Sequence, residues 1–188
     1  MSVRVKIRLA DVPDFAWKEY HEDQVRVYSK LTEFAFEALK MPLIQEWLER
    51  FAEKLDIQNV EVRLNRMPHH EAKLLPVEWK RRGVFKPIGT FGRSSRKRAF
   101  IEIYPSPHFI NKTCKPYIRP SLRGEILEAL RTIIHEMLHQ AGIWDEGEAK
   151  RLTEIHYSRF RQVNRTKFDQ AIKPLLRKWR REMAELGL

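Results

Sequence analysis

The run His135-Glu136-Met137-Leu138-His139 concentrates the residue types able to do chemistry. Two histidines four apart lie about 40° apart around a helix, so both imidazoles face one way and can share a metal ion. Glu136 falls about 100° from His135, beside such an ion rather than on it. From there a carboxylate can take a proton from zinc-activated water and hand it to a leaving amine. The spacing therefore predicts His135 and His139 as zinc ligands and Glu136 as general base.

Those side chains need a helix to carry them. Projection of residues 122–141 gathers Glu128, Arg131, Thr132, His135 and His139 on one polar stripe. Ile126, Leu130, Ile133, Ile134, Met137 and Ala141 occupy the opposite, broad apolar side. Such a helix is buried on its back and polar where the histidines point. Gly142 is expected to stop it. A strand over 99–104 precedes it, ended by Pro105 and Pro107.

Upstream, Val3, Val5, Ile7 and Leu9 alternate with basic residues, which predicts a half-exposed strand. Helices follow over 23–40 and from Leu43 to about Leu55, with Pro42 between them. Val60, Val62 and Leu64 mark another strand. Downstream, helices are expected over 146–162 and 166–186, with Pro174 a kink or a start. The fold class is α+β: a small mixed or antiparallel sheet packed on the active-site helix, with extra N- and C-terminal helices. The length of 188 residues suits one domain over 1–188. Its catalytic core would lie at about 59–160, with a basic C-terminal helical extension at about 164–188.

A catalytic zinc usually takes three protein ligands and a water. Gly142 and a capping Asp145 would fold two helices into a tight hairpin, which sets Glu148 level with His139. The same two acids also read as an N-cap and its N3 partner.

The succession of strand, loop and H-E-x-x-H helix resembles the core of zincin metallopeptidases, over roughly residues 59–160. That resemblance implies a zincin-like core, a zinc cofactor, and an extended peptide paired to the edge of the cleft strand. Glu148-Ala149 resembles the Glu-Ala step of gluzincins, whose third ligand is a Glu on the following helix. His135 to Asp145 is similar to the metzincin pattern, with Asp145 where the third His stands, but no Met-containing turn follows. His156-Tyr157-Ser158-Arg159-Phe160 resembles the H-x-x-x-F step of SprT-like peptidases. Glu148 is thus the first candidate for third ligand, with Asp145 and His156 as alternatives.

Tyr157 and Tyr104 are candidates to stabilise the oxyanion that forms as water attacks a carbonyl. Cys114 precedes the helix as a lone thiol, and His69-His70 are adjacent, a poor geometry for sharing one ion. A single cysteine excludes a disulfide framework and a four-cysteine zinc site. No apolar stretch approaches the length of a membrane span. The N-terminal alternation lacks a signal peptide's apolar core, so the expected location is the cytoplasm.

Charge is the remaining signal. Lys and Arg exceed Asp and Glu by 36 to 25, a formal net charge of +11. Residues 80–98 hold eight basic residues and no acid, among them Arg81, Arg82, Arg93, Arg96, Lys97 and Arg98. Three glycines there suggest a hairpin or loop. A second basic run fills 157–188. These runs are candidates for contact with nucleic acid or an acidic partner. The expected activity is that of a zinc-dependent metallopeptidase acting on protein or peptide, including nucleic-acid-associated proteins. Two alternatives stay open. One is a metal-dependent endoribonuclease of the YbeY-like type, whose third ligand falls where Asp145 stands. The other is a zinc-containing nucleic-acid-binding module without catalysis.

Overall fold

A computed structural model describes residues 3–10, 22–66, 88–92, 98–104 and 121–187. The element order is β1 (Arg4–Leu9), α1 (Glu22–Leu39), α2 (Pro42–Lys54), β2 (Asn59–Leu64), β3 (Ile88–Gly92), β4 (Arg98–Tyr104), α3 (Leu122–Gln140) and α4 (Glu146–Glu185). This is an α+β chain, mostly helical.

The strands make one mixed sheet in the order β1-β2-β4-β3. β1, β2 and β4 run parallel, with Val5 opposite Val60 and Val62 opposite Ile101. β3 joins β4 antiparallel, with Phe91 paired in register to Ile101. Side chains alternate across a strand, and the register aligns that alternation. Val5, Ile7, Val60, Val62, Leu64, Ile101 and Ile103 are buried on one face. Arg4, Lys6, Arg8, Glu61, Arg63 and Glu102 occupy the other.

Strand β4 was expected to offer its edge to a substrate. Instead it is flanked on both sides, by β2 and β3. Among the described residues the free edges belong to β1 and β3. The glycine-punctuated segment supplies the extra strand that covers β4.

Helix α3 packs against α1, α4, β3 and β4, at the centre of the molecule. It is buried nearly all round, and Glu128, Arg131, Thr132 and His135 form a half-buried stripe. Ser121 caps its start by accepting a hydrogen bond from Gly124 N at 3.2 Å.

Two helices were expected over 146–186, but α4 runs unbroken for 40 residues. Buried Asn164 donates its side-chain N–H to the Phe160 carbonyl at 3.1 Å and so stays within the helix. Pro174 sits on an exposed face, where water can satisfy the carbonyl that loses its partner. An aromatic seam holds α4 to α1 and α2. Trp47 meets Phe160 edge-on at 5.2 Å, and Phe34 meets Trp179 at 5.8 Å. Phe168, Ile172, Trp179 and Met183 belong to the same buried core as the sheet, so this basic segment is packed inward along one side. No helix among the described residues is long and apolar enough to cross a membrane.

Candidate metal centre

The turn between α3 and α4 builds the site. Gly142 adopts φ +100°, which a residue without Cβ reaches freely. Its N–H donates to the His139 carbonyl at 2.9 Å, and Ile143 N donates to the Leu138 carbonyl at 3.1 Å. This pair of bonds is the Schellman closure of a helix. Asp145 then caps α4, its Oδ1 accepting from Glu148 N at 2.7 Å.

Two residues separate Gly142 from that cap. Glu146 therefore takes the first helical position, and its Cβ leans back toward the end of α3. His139 Nε2 lies 3.0 Å from His135 Nε2 and 3.0 Å from Glu146 Oε1. His135 Nε2 is 3.7 Å from Glu146 Oε2. Ligands held about 2.0–2.1 Å from a tetrahedral zinc stand about 3.3 Å apart. The donor set and its spacing thus fit a small divalent metal, and His135, His139 and Glu146 could hold one.

The other imidazole nitrogens are anchored. His139 Nδ1 donates to the Ile143 carbonyl at 2.7 Å, so the backbone turn orients the ring. His135 Nδ1 is 3.2 Å from Thr153 Oγ1 on α4. A metal-binding histidine characteristically gives its second N–H to such a partner. His139 is buried, whereas the Glu146 side chain is 61% exposed. The cluster is therefore closed on the α3 side and open on the α4 side.

Glu136 is only 6% exposed. Burial pushes its carboxyl up to about 7, against the pull of His139 and with the push of Glu146. Burial also lowers His135, as does the nearby charge of His139, while Glu146 works the other way. Burial acts to raise Glu146. The hydrogen bond from Lys150 and the charges of His135, His139 and Lys150 outweigh it and hold this carboxyl below its ordinary value. Mutual perturbation of this kind is common where groups converge on function.

Glu148, the first sequence candidate for third ligand, is exposed and 3.9 Å from Arg151, outside the cluster. Asp145 spends its carboxylate on the cap. His156 lies ten residues beyond Glu146, roughly 15 Å along the helix. It packs on Phe51 of α2 at 4.8 Å. Tyr104 ends β4, and its hydroxyl donates to Glu102 Oε2 at 3.2 Å. Burial first, then the Glu102 charge and that bond, push its hydroxyl up to about 12. Tyr157 is buried one turn beyond Thr153, beside Arg161 at 5.9 Å. Arg81, Arg82, Arg93, Arg96, Lys97, Cys114, His69 and His70 lie outside the described residues. Arg98 opens β4, and its side chain is not described.

Three participants escaped the sequence reading. Glu146 was readable from the cap itself, because a residue just after an N-cap leans back. Thr153 gave no motif. Trp144 is 66% exposed, and its ring lies nearly parallel to His139 at 6.5 Å. Comparison with protein-family models, with curated proteins and with solved structures finds no match.

Proposed function

We propose that the chain is a zinc-dependent peptidase built on a zincin-like core. The carrying observation is the convergence of His135 Nε2, His139 Nε2 and the Glu146 carboxylate, with buried Glu136 beside them. The mixed sheet lying over the H-E-x-x-H helix supports the same reading. The expected third ligand moves from Glu148 to Glu146.

A zinc ion held by these three residues supplies a Lewis acid that acidifies water and polarises a carbonyl. The chain's own residues do the rest. Glu136 sits beside the ligands with its proton affinity raised toward neutrality, a value suited to accepting a proton from attacking water and returning it to the leaving amine. The Ile143 carbonyl and Thr153 hydroxyl hold the imidazoles in the tautomer that leaves each Nε2 bare. Trp144 offers an exposed aromatic surface for a substrate side chain. The open flank at Glu146 supports catalysis over a closed structural site.

The test is cleavage of casein by chelator-stripped protein after addition of zinc. Wild type is expected to cleave. Glu136→Gln is expected to retain zinc and lose activity. Cleavage of RNA with casein untouched, or full activity in Glu136→Gln, overturns the reading.

A further inference from the structure

The C-terminal stretch of α4 carries a charge arrangement that the metal centre does not use. Between Lys173 and Arg181 stand Lys173, Arg177, Lys178, Arg180 and Arg181, all exposed, with no acid among them. Lys173, Arg177 and Arg181 are spaced i, i+4, i+8, so they form one row on the side away from the core. The opposite side, through Ile172, Trp179 and Met183, is buried.

None of the five makes an ion pair among the described residues, and the nearby acids are engaged elsewhere or stand apart. Asp169 binds Arg123 at 2.9 Å, and Glu182 faces Lys30 at 3.5 Å. Glu185, one turn beyond Arg181, forms no ion pair among the described residues. Like charges at i, i+4 destabilise a helix by about 0.2–0.5 kcal/mol per pair. Lys178 lies over the Phe34 ring at 5.2 Å, but Arg177 in the middle of the row has no acid three or four residues away, and an external polyanion would relieve the repulsion there.

We propose that this face of α4 binds the phosphate backbone of double-stranded nucleic acid, without reading sequence. Three of the five cations are arginines, whose planar forks match phosphate oxygens. The row spans about 12 Å, a length over which a duplex carries about seven charges, so phosphates outnumber the cations in it. Charge complementarity also separates this occupant from a lipid surface. A helix that enters a membrane interface presents apolar residues beside its cations. The exposed large apolar residues of the described chain are Trp144, Ile155 and Val163, none of them in this stretch. Glu146 and Lys173 lie about 40 Å apart along α4, so the face is an anchor separate from the metal centre.

The test is fluorescence anisotropy of the full chain with a labelled duplex of ~30 base pairs and mixed sequence. It is run in chelator, so the metal centre takes no part, and over a salt series. The triple variant Lys173→Gln/Arg177→Gln/Arg181→Gln is compared with Arg4→Gln/Lys6→Gln/Arg26→Gln, which removes the same charge elsewhere. The α4 variant is expected to bind about tenfold or more weakly at roughly 50 mM salt. Its slope of log K on log salt should be shallower by about 2.7, with unchanged circular dichroism. The control should keep most of the affinity. Four results overturn the proposal: no binding by wild type at that salt, an unchanged slope in the α4 variant, an equal loss in the control, or tighter capture by anionic vesicles than by the duplex.

Discussion

Thr153 Oγ1 lies 3.2 Å from His135 Nδ1 and donates its own proton to the Ala149 carbonyl at 2.7 Å. With that proton committed, the hydroxyl oxygen is left to accept. The imidazole proton therefore resides on Nδ1, and Nε2 is bare and turned toward His139. The Ile143 carbonyl does the same for the second ring. One anchor comes from α4 and one from the turn, so ligand orientation depends on how the two helices dock.

Replacing Thr153 by Val keeps the shape of the side chain and removes the acceptor. Zinc affinity, read by competition with a chromophoric chelator, should fall by about 10–100-fold. Thr153→Ser should recover most of it, since only the hydroxyl is required. Wild-type affinity in the valine variant would show that His135 needs no partner on α4.

The two acids of the first turn of α4 should behave differently. Glu146 reaches both imidazoles, whereas Glu148 points to solvent near Arg151. Glu146→Ala should reduce zinc affinity by more than Thr153→Val does, because it removes a ligand rather than a support. Glu148→Gln should leave affinity unchanged, and it spares the cap, which uses only the backbone N–H of Glu148. The reverse pattern would restore Glu148 as third ligand.

Glu136 makes a prediction about stability without metal. Its carboxyl rises from an ordinary 4.5 to about 7, chiefly through burial. A folded value above the unfolded one means that the fold prefers the protonated group. Below about pH 4.5 both states are protonated and nothing is lost. As pH climbs toward 7 the unfolded chain ionises first, and the folded state loses on the order of 3 kcal/mol by pH 8. Glu136→Gln has no such group. In chelator, the variant should unfold at higher denaturant than wild type at pH 8, and the gap should close by about pH 4.5. A gap independent of pH would mean that the carboxyl titrates normally in the fold.

The parts of this structure legible in the sequence are those set by local periodicity and local chemistry. Alternation in Val3–Leu9 and Val60–Leu64 placed two strands, and the polar stripe of α3 marked the side on which the histidines converge. Gly142 and Asp145 announced the turn and the cap. What local patterns do not carry is partner choice between distant segments. That β3 covers β4, that β1 lies beside β2, and that Thr153 meets His135 are long-range pairings. The unbroken α4 was hidden for a related reason. Pro174 reads as a breaker until its exposed position is known. Glu146 fits no ligand-spacing pattern, and its place in the cluster follows only from the direction in which a first-turn side chain leans.

The turn itself is open to one decisive substitution. Gly142 at φ +100° closes α3 and delivers the Ile143 carbonyl to His139. A Cβ at this position would meet nothing within 4 Å, so Gly142→Ala adds no clash and isolates the backbone penalty. That penalty is roughly 1–2 kcal/mol for an alanine with positive φ. At about 2–4 °C per kcal/mol for a chain of this size, the thermal midpoint should drop by about 2–8 °C. Relief of the strain would unwind the closure and draw the carbonyl away from His139 Nδ1, so zinc affinity should fall as well. Gly142→Asn should suffer less on both counts, since asparagine visits left-handed backbone more readily. If alanine cost stability but left zinc affinity untouched, the Ile143 carbonyl would not be what orients His139.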